Sequence, residues 1–294
     1  MEKKTRDIVQ DNTVLQTKIE VPKLAPKVLR RARLTSLIGK PGDRTLTLIT
    51  APAGYGKTTL LGEWLSTSMS HNQRTAWLTL DLFDDAPFRF WFYLIAAIRN
   101  VFPTLKYRVD TMLSHQGFQN FSWLDPLINE LNTLPFYVNI ILDDFHVIKD
   151  QVIMDGLSYL IEYQPKNLHI IIATRVRPDI HLARLRTLGR LIEISAEDLV
   201  FSFDETCNYL NDSINRKLTS NEVVYIYENT EGWIAGLKMT AITYQSREIE
   251  DHNFFAIAQN TQAFREYFSE EVLGTFSPEL QDFVLKTSLL TEFS

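Results

Sequence analysis

Short apolar runs alternate with segments of helical hydrophobic spacing between about residue 17 and residue 195. The runs are rich in β-branched residues and apolar at most successive positions, which is typical of parallel strands covered by helices on both faces. Five strands are predicted, at 46–50, 75–80, 137–142, 169–173 and 191–194. The helices between and after them are predicted at 57–69, 88–101, 121–133, 151–162 and 179–188. This alternation predicts an α/β fold with a five-stranded parallel sheet.

The pattern changes after Ile194, where the strand signals stop and helical spacing continues. Helices are predicted near 204–213, 219–228, 232–246 and 261–274, and Ser277-Pro278-Glu279 has the N-cap and first-turn chemistry of another. We therefore expect a flexible lead-in over 1–16, an α/β domain over 17–195, a helical domain over 196–255 and a partial domain over 256–294. The apolar context of the last residues leads us to expect a fragment of a longer protein.

The charge of the chain excludes a general electrostatic attraction to nucleic acid. Its 30 Lys and Arg residues are outnumbered by 36 Asp and Glu residues, giving a net charge of −6. The single cysteine, Cys207, excludes an intrachain disulfide or a multi-cysteine zinc site and suits a reducing compartment. The sequence has neither a signal-peptide start nor 18 consecutive apolar residues, so we expect a cytoplasmic protein without a membrane partner.

A phosphate-binding loop follows the first predicted strand. Residues 51–59 read Ala-Pro-Ala-Gly-Tyr-Gly-Lys-Thr-Thr and lead into an amphipathic helix, which is the context of a P-loop. The two glycines allow backbone N–H groups to turn around a phosphate, and the helix adds the positive end of its dipole. We predict that Lys57 reaches the β and γ phosphates and that Thr58 binds Mg²⁺. The predicted nucleotide-binding residues of this loop are Ala53, Gly54, Tyr55, Gly56, Lys57, Thr58 and Thr59.

Ala51 departs from the strict motif, which has glycine at this position. Alanine can occupy the turn if its φ is negative, so the motif is weakened without being lost. The alternative is an ordinary glycine-containing turn between a strand and a helix. The sequence Gly-Lys-Thr-Thr at a strand-to-helix junction favours the P-loop.

Charged residues end the third and fourth predicted strands. Asp143 and Asp144 follow an apolar strand about 85 residues after the P-loop, as in a Walker B motif, although aspartate is also common in turns and caps. We expect Asp143 to hold Mg²⁺ and Asp144 to be the general base that polarises the attacking water. Arg175 follows the fourth strand at the ligand-binding edge, where it can sense the γ-phosphate or simply cap the strand. Arg177 is a weaker candidate for the same role.

Taken in order, these motifs resemble the STAND-type signalling ATPases, and within them the MalT-type regulators, which are large ATP-dependent members of the LuxR family. The resemblance covers residues 17–294. Besides the P-loop and the aspartate pair, it rests on Thr17-Lys18, Val21-Pro22, Arg31-Ala32-Arg33-Leu34, 77–81, 90–97, Ala173-Thr174-Arg175, 198–203 and 231–237. It implies a P-loop NTPase domain, then a helical domain and the start of a winged-helix domain.

The resemblance implies a switch that binds ATP and Mg²⁺. ADP holds such a switch closed, an inducer permits exchange for ATP, the ATP form self-associates, and slow hydrolysis resets it. A small-molecule inducer and DNA are implied as partners only through domains absent from this sequence. The resemblance also places Arg31, Leu34 and the 198–206 junction around the base and ribose, although the Arg30–Arg33 run fits a solvated helix face equally well. For Trp233 and His146, structural packing is the better explanation.

Two other functions stay open at this point. A P-loop kinase or a constitutive ATPase acting on a separate substrate would use the same loop, but no acceptor site is recognisable. A DNA-binding winged helix in the last 40 residues is disfavoured by the acidity of that region. The residues that make it acidic are Glu266, Glu270, Glu271, Glu279 and Asp282.

Overall fold

Two units can be distinguished in the structure. The computed structural model describes residues 14–24, 28–38, 45–68, 72–106, 121–214, 217–246 and 262–288. The first unit comprises residues 1–51 and 57–199, and the second comprises residues 52–56 and 200–294. The expected lead-in up to residue 13, the boundary near 255 and the last six residues lie outside the described part of the chain. The domain bounds at 195 and 255 stay predictions.

The first unit contains the predicted parallel sheet. Its strands are β1 (Leu46–Thr50), β2 (Gln73–Thr79), β3 (Tyr137–Asp143), β4 (Leu168–Thr174) and β5 (Leu191–Ile194). All pairings are parallel, and the strand order is β2-β3-β4-β1-β5. The α/β fold with a five-stranded parallel sheet is therefore confirmed. Because β4 lies between β1 and β3, three strand ends meet along one edge of the sheet.

Helices connect these strands and cover the sheet. They are α1 (Gln16–Ile19), α2 (Ala32–Leu37), α3 (Lys57–Ser68), α4 (Pro87–Val101), α5 (Asp125–Asn132), α6 (Gln151–Tyr163), α7 (Ala183–Thr187) and α8 (Ala196–Leu199). Every residue of β4 is buried, as are all residues of β3 after Tyr137. These apolar strands therefore form the centre of the core, as their sequence pattern predicts.

A buried ion cluster attaches the N-terminal segment to the end of β2. Lys18 donates hydrogen bonds to Asp81, at 2.9 Å, and to Asp84, whose side chain is fully buried. Arg89 pairs with the other oxygen of Asp84 at 3.0 Å, and both cations lie against the Tyr93 ring. A buried charge is tolerated only when it is paired and hydrogen-bonded. The cluster thus explains why lysine and aspartate occur in the 17–18 and 77–81 segments.

His169 makes the stability of the first unit depend on pH. Its side chain lies inside the sheet on β4, with Nε2 2.9 Å from Thr47 Oγ1. Burial lowers the pKa of His169 to about 4, whereas an unfolded histidine titrates near pH 6.5. Between these values the unfolded state binds the proton more readily, so stability present above pH 6.5 is lost as the pH falls towards 4. The loss is roughly 3 kcal/mol when complete.

Replacing this histidine by a residue that does not titrate isolates the effect. We expect His169→Gln to flatten the decline in unfolding free energy between pH 6.5 and 4, measured by urea denaturation at several pH values. The pKa of Asp143 is raised to about 6, so protonation of Asp143 increases the unfolding free energy as the pH falls. This contribution is the same in the wild-type protein and in His169→Gln. His181→Asn, at an exposed position, is the matched control and should keep the wild-type profile. An unchanged profile for His169→Gln would contradict the assignment.

The second unit is helical in its described part. Its helices are α9 (Phe203–Ser213), α10 (Ser220–Thr230), α11 (Ile234–Ser246), α12 (Gln262–Tyr267) and α13 (Pro278–Thr287). Capping boxes begin α9 and α10, and Ser277 caps α13 as predicted. The helix predicted near 261–274 is found as a continuous helical segment, in which α12 is followed by a π-helical turn at Phe268–Val272 and a 3-10 turn at Leu273–Thr275. None of the described helices combines the length and the apolarity needed to cross a membrane.

Candidate nucleotide site

The ends of three strands form the base of the candidate site in the first unit. Strand β1 ends at Thr50, β3 at Asp143 and β4 at Thr174. The N–H of Ala51 donates to the carbonyl of Thr174 at 3.2 Å, so the chain entering the P-loop is attached to the end of β4. The carboxyl edge of an open parallel sheet is where such folds bind ligands.

The backbone at the start of the P-loop accepts the departure from the strict motif. Ala51 is buried, and its φ is not positive, since the described non-glycine residues with positive φ are Asp144 and Glu231. The backbone condition for alanine at this position, a φ that is not positive, is therefore met. Further along the loop, Gly54 and Gly56 have φ values of 80° and 74°, a region that favours glycine. The loop thus has glycine where its backbone requires it.

Lys57 is the first residue of α3 and is buried. Its Nζ donates to the carbonyl of Ala51 at 2.8 Å, which folds the side chain back over the start of the loop. Burial lowers the pKa of Lys57, the charge of Asp144 raises it, Arg175 lowers it, and Asp143 raises it. The charges of Asp144, Arg175 and Asp143 thus all act on the Lys57 ammonium group.

Thr58 and Asp143 place two side-chain oxygens next to each other. Thr58 Oγ1 donates to Asp143 Oδ2 at 2.8 Å, and the aspartate is almost completely buried. Burial and the charge of Asp144 raise the pKa of Asp143 to about 6, while the Thr58 and Asp144 hydrogen bonds and the charge of Lys57 limit the rise. A half-buried hydroxyl beside a buried carboxylate whose negative charge is destabilised could hold a hard divalent cation such as Mg²⁺, which prefers oxygen ligands.

Asp144 has an unusual backbone conformation. Its φ of 55° and ψ of 35° lie in the left-handed region, and its N–H donates to Asp143 Oδ1 at 3.1 Å. The side chain is 40% exposed, with Oδ1 3.8 Å from His146 Nδ1. Such a conformation costs energy and is concentrated at functional positions. Asp144 therefore presents a carboxylate to solvent beside a buried one, which suits a residue that polarises water.

Arg175 follows β4 directly and is half-buried. The strand order places it between the ends of β1 and β3, and its charge lowers the pKa of Lys57. A cation in this position is suited to an anionic ligand bound at the edge. Arg177, the weaker candidate, instead lies 3.5 Å from Glu193 on β5.

The residues assigned to the base and ribose pack beside α3. Leu34 is fully buried, Arg31 is nearly so, and the Arg31 N–H donates to the carboxylate of Glu63 on α3. Arg33 donates to the carbonyl of Asp198 at 2.8 Å, so this segment contacts the first residue of the predicted junction. Nucleotide contacts of Arg31 and Leu34 stay predictions. Sequence reasoning missed Glu63, which is a buried carboxylate within a helix of low amphipathicity.

The second unit contains the loop residues 52–56 and a contact that the sequence did not reveal. Trp233 Nε1 donates to the carbonyl of Ala53 at 3.3 Å, and the Ala235 N–H donates to the carbonyl of Gly54 at 3.0 Å. The sequence favoured simple helix packing for Trp233. The sequence signal for a special position of this indole was a glycine three residues after the tryptophan. Gly236 leaves room for the ring, because a Cβ there would lie 2.9 Å from the Trp233 ring.

Similar proteins occur in two curated groups. No protein-family model matches the chain. It is 30% identical over 263 residues to the serine/threonine-protein kinase PknK of Mycobacterium tuberculosis, which is 89% of this chain and 24% of PknK. It is 27% identical over 280 residues to the HTH-type transcriptional regulator MalT of Klebsiella pneumoniae, which is 94% of this chain and 31% of MalT. The chain thus spans between about a quarter and a third of these relatives.

Two solved archaeal structures have a similar fold. A STAND protein with a tetratricopeptide repeat sensor from Pyrococcus horikoshii matches with a TM-score of 0.52 and 18% identity, over 92% of this chain and 36% of that chain. A Walker-type ATPase from Pyrococcus abyssi matches with a TM-score of 0.53 and 16% identity, over 91% of this chain and 80% of that chain. At these identities the likeness shows the fold.

The strand order, the glycine loop and the acidic strand end define an α/β P-loop NTPase. Within this class, the similarity to MalT over nearly the whole chain confirms the resemblance drawn from the motifs. The chain is thus similar to MalT in sequence and to a STAND protein in fold.

Proposed function

We propose that the chain is an ATP/ADP-dependent switch module of a MalT-type LuxR-family transcriptional activator. In this proposal it binds ATP with Mg²⁺ and hydrolyses it slowly, so that the bound nucleotide controls self-association. The similarity to MalT supports the regulatory setting. The observation that carries the nucleotide chemistry is the placement of Lys57, Asp143, Asp144 and Arg175 beside the ends of three neighbouring strands, with Lys57 bonded to Ala51 and Thr58 bonded to Asp143.

Each of these side chains has a distinct task in the proposed reaction. Lys57 exchanges its hydrogen bond to the Ala51 carbonyl for the β and γ phosphates, where its charge stabilises the developing negative charge. Asp144, with its exposed carboxylate, orients the attacking water and accepts its proton. Arg175 contacts the γ-phosphate and therefore distinguishes ATP from ADP.

Thr58 Oγ1 and the Asp143 carboxylate would hold the proposed Mg²⁺. When bound, it neutralises charge on the phosphate oxygens that it contacts. The hydrogen bond between these two side chains keeps both oxygens adjacent. The raised pKa of Asp143 indicates that a positive charge nearby would stabilise its ionised form.

In this proposal, the inducer and DNA are partners of the whole regulator and not of this region. A small-molecule inducer and DNA would bind to regions corresponding to the unmatched parts of its relatives, and the net charge of −6 gives this chain no general affinity for DNA. The similarity to PknK shows that a region like this chain also occurs in a serine/threonine-protein kinase. A cytoplasmic location is part of the proposal, because ATP and inducers would be available there.

The nucleotide that accompanies the purified protein tests this proposal. We expect denaturation of freshly purified protein, followed by chromatography, to release ADP in nearly stoichiometric amount, because a switch held closed by its product retains that product. Heat-treated buffer from the last purification step is the control for free nucleotide. A nucleotide-free protein that turns over added ATP continuously, or passes phosphate to a small molecule, would instead support a constitutive ATPase or P-loop kinase.

A further inference from the structure

Residues 52–56 of the P-loop belong to the second unit and accept hydrogen bonds from Trp233, just before α11, and from the start of α11. The indole Nε1 of Trp233 is 3.3 Å from the Ala53 carbonyl oxygen, and the Ala235 N–H is 3.0 Å from the Gly54 carbonyl oxygen. Ala235 lies in the first turn of α11, where backbone N–H groups have no partner within the helix. Two successive loop carbonyls are thus held by donors from a segment about 180 residues away.

The direction of these carbonyls determines the direction of the next N–H groups. In a planar trans peptide the C=O and the N–H point in opposite directions. The Ala53 carbonyl shares its peptide with the Gly54 N–H, and the Gly54 carbonyl shares its peptide with the Tyr55 N–H. Both N–H groups therefore point away from α11. Inward-turned N–H groups of this kind are what a P-loop uses to bind phosphate.

Close packing leaves the loop little freedom to rotate these peptides. A Cβ at Gly54 would lie 2.6 Å from Ala235 Cβ, 2.6 Å from Tyr267 Oη and 2.9 Å from Trp233 Nε1. The Tyr267 and Trp233 rings are also in contact, with centroids 6.2 Å apart. Gly54 is therefore enclosed on its outer side by three side chains.

The two glycines on either side of Trp233 leave the space that the turn and the indole need. Gly232 has a φ of 73°, and a Cβ there would lie 2.3 Å from the Phe201 carbonyl oxygen. A Cβ at Gly236 would lie 2.9 Å from the Trp233 ring. Glycine at both positions lets the chain turn tightly before α11 and leaves space for the indole.

We infer that Trp233 is a positioning residue for nucleotide binding: its indole N–H, together with the Ala235 N–H, holds the P-loop peptides with their N–H groups ready for the phosphates. The inference rests on the proposed function, because it requires a phosphate ligand in the loop. It assigns a role to the Glu231–Leu237 segment that helix packing alone does not explain.

The conservative variant Trp233→Phe keeps an aromatic ring and removes the N–H donor. We expect its affinity for ADP, measured by calorimetry after removal of bound nucleotide, to be about five- to tenfold weaker, which corresponds to one ordinary hydrogen bond. Its unliganded melting temperature should stay close to the wild-type value. Trp77→Phe is the matched control, since the buried Trp77 indole donates to Thr79 at 2.9 Å within β2. It should lose stability and keep its ADP affinity.

A fluorescence measurement on the wild-type protein tests the same inference without a variant. Trp64, Trp77, Trp91 and Trp123 are buried and Trp233 is half-buried, so quenching by acrylamide reports mainly on Trp233. We expect ADP to reduce this quenching, with saturation at the concentration found by calorimetry, because phosphate binding would further restrain the peptides that the indole contacts.

The outcomes separate this inference from the proposed function. If the wild-type protein binds ADP while Trp233→Phe binds it equally well, or if quenching does not respond to ADP, the positioning role is overturned and the proposed function stands. If the wild-type protein binds neither ADP nor ATP, both are overturned. Weaker ADP binding by Trp233→Phe at unchanged stability supports both.

Discussion

Lys57→Ala is expected to weaken ATP and ADP binding about a hundredfold, which corresponds to the loss of a hydrogen bond to a charged group of nearly 3 kcal/mol. The stability of the unliganded protein should be unchanged or slightly higher. The reason is that burial lowers the pKa of the Lys57 ammonium group, so removing this buried charge relieves a desolvation cost.

The two effects are measured together by thermal unfolding with and without nucleotide. A ligand raises the melting temperature in proportion to the logarithm of its concentration over its dissociation constant, so the ADP-dependent shift in Lys57→Ala should be clearly smaller and should be absent at ADP concentrations below its weakened dissociation constant. Lys166→Ala is the matched control, because Lys166 is an exposed lysine just before the amino end of β4, at the other edge of the sheet. A full ADP shift in Lys57→Ala would exclude the P-loop as the phosphate site.

The sheet was largely predictable from sequence because its strands are short, apolar on both faces and separated by helices. The bounds of β1 and β5 are those predicted, and the other strands differ by at most two residues at either end. The helix predicted over 179–188 is shorter, because α7 covers only Ala183–Thr187. Ile180 and Leu182 lie in a non-helical segment before α7, and both side chains are buried. Tertiary packing there overrides the helical spacing of the apolar residues.

The candidate site was predictable where its chemistry is local in sequence. Gly54, Lys57 and Thr58 lie in one loop, and the two aspartates end one strand. The position of Arg175 between the ends of β1 and β3 follows only from the strand order, which periodicity does not encode. The bond from Trp233 to Ala53 joins residues 180 positions apart, so no local pattern predicts it.

Asp144→Asn is expected to slow ATP hydrolysis by about a hundredfold or more, the usual contribution of a positioned general base. The substitution is nearly isosteric, and asparagine tolerates the left-handed backbone conformation found at this position. Folding should therefore be retained. ATP binding should be equal or tighter, because a negative charge that would repel the phosphates is removed.

Separate measurements of binding and of a single turnover decide whether Asp144 acts as the base. Radiolabelled ATP mixed with excess nucleotide-free protein gives the hydrolysis rate, and calorimetry gives the affinity. Asp282→Asn makes the same chemical change at an exposed position on α13 and should alter neither quantity. Wild-type hydrolysis in Asp144→Asn would remove Asp144 from the reaction. Weaker binding together with slower hydrolysis would assign it to phosphate or metal binding instead, since a general base lowers the barrier without holding the substrate.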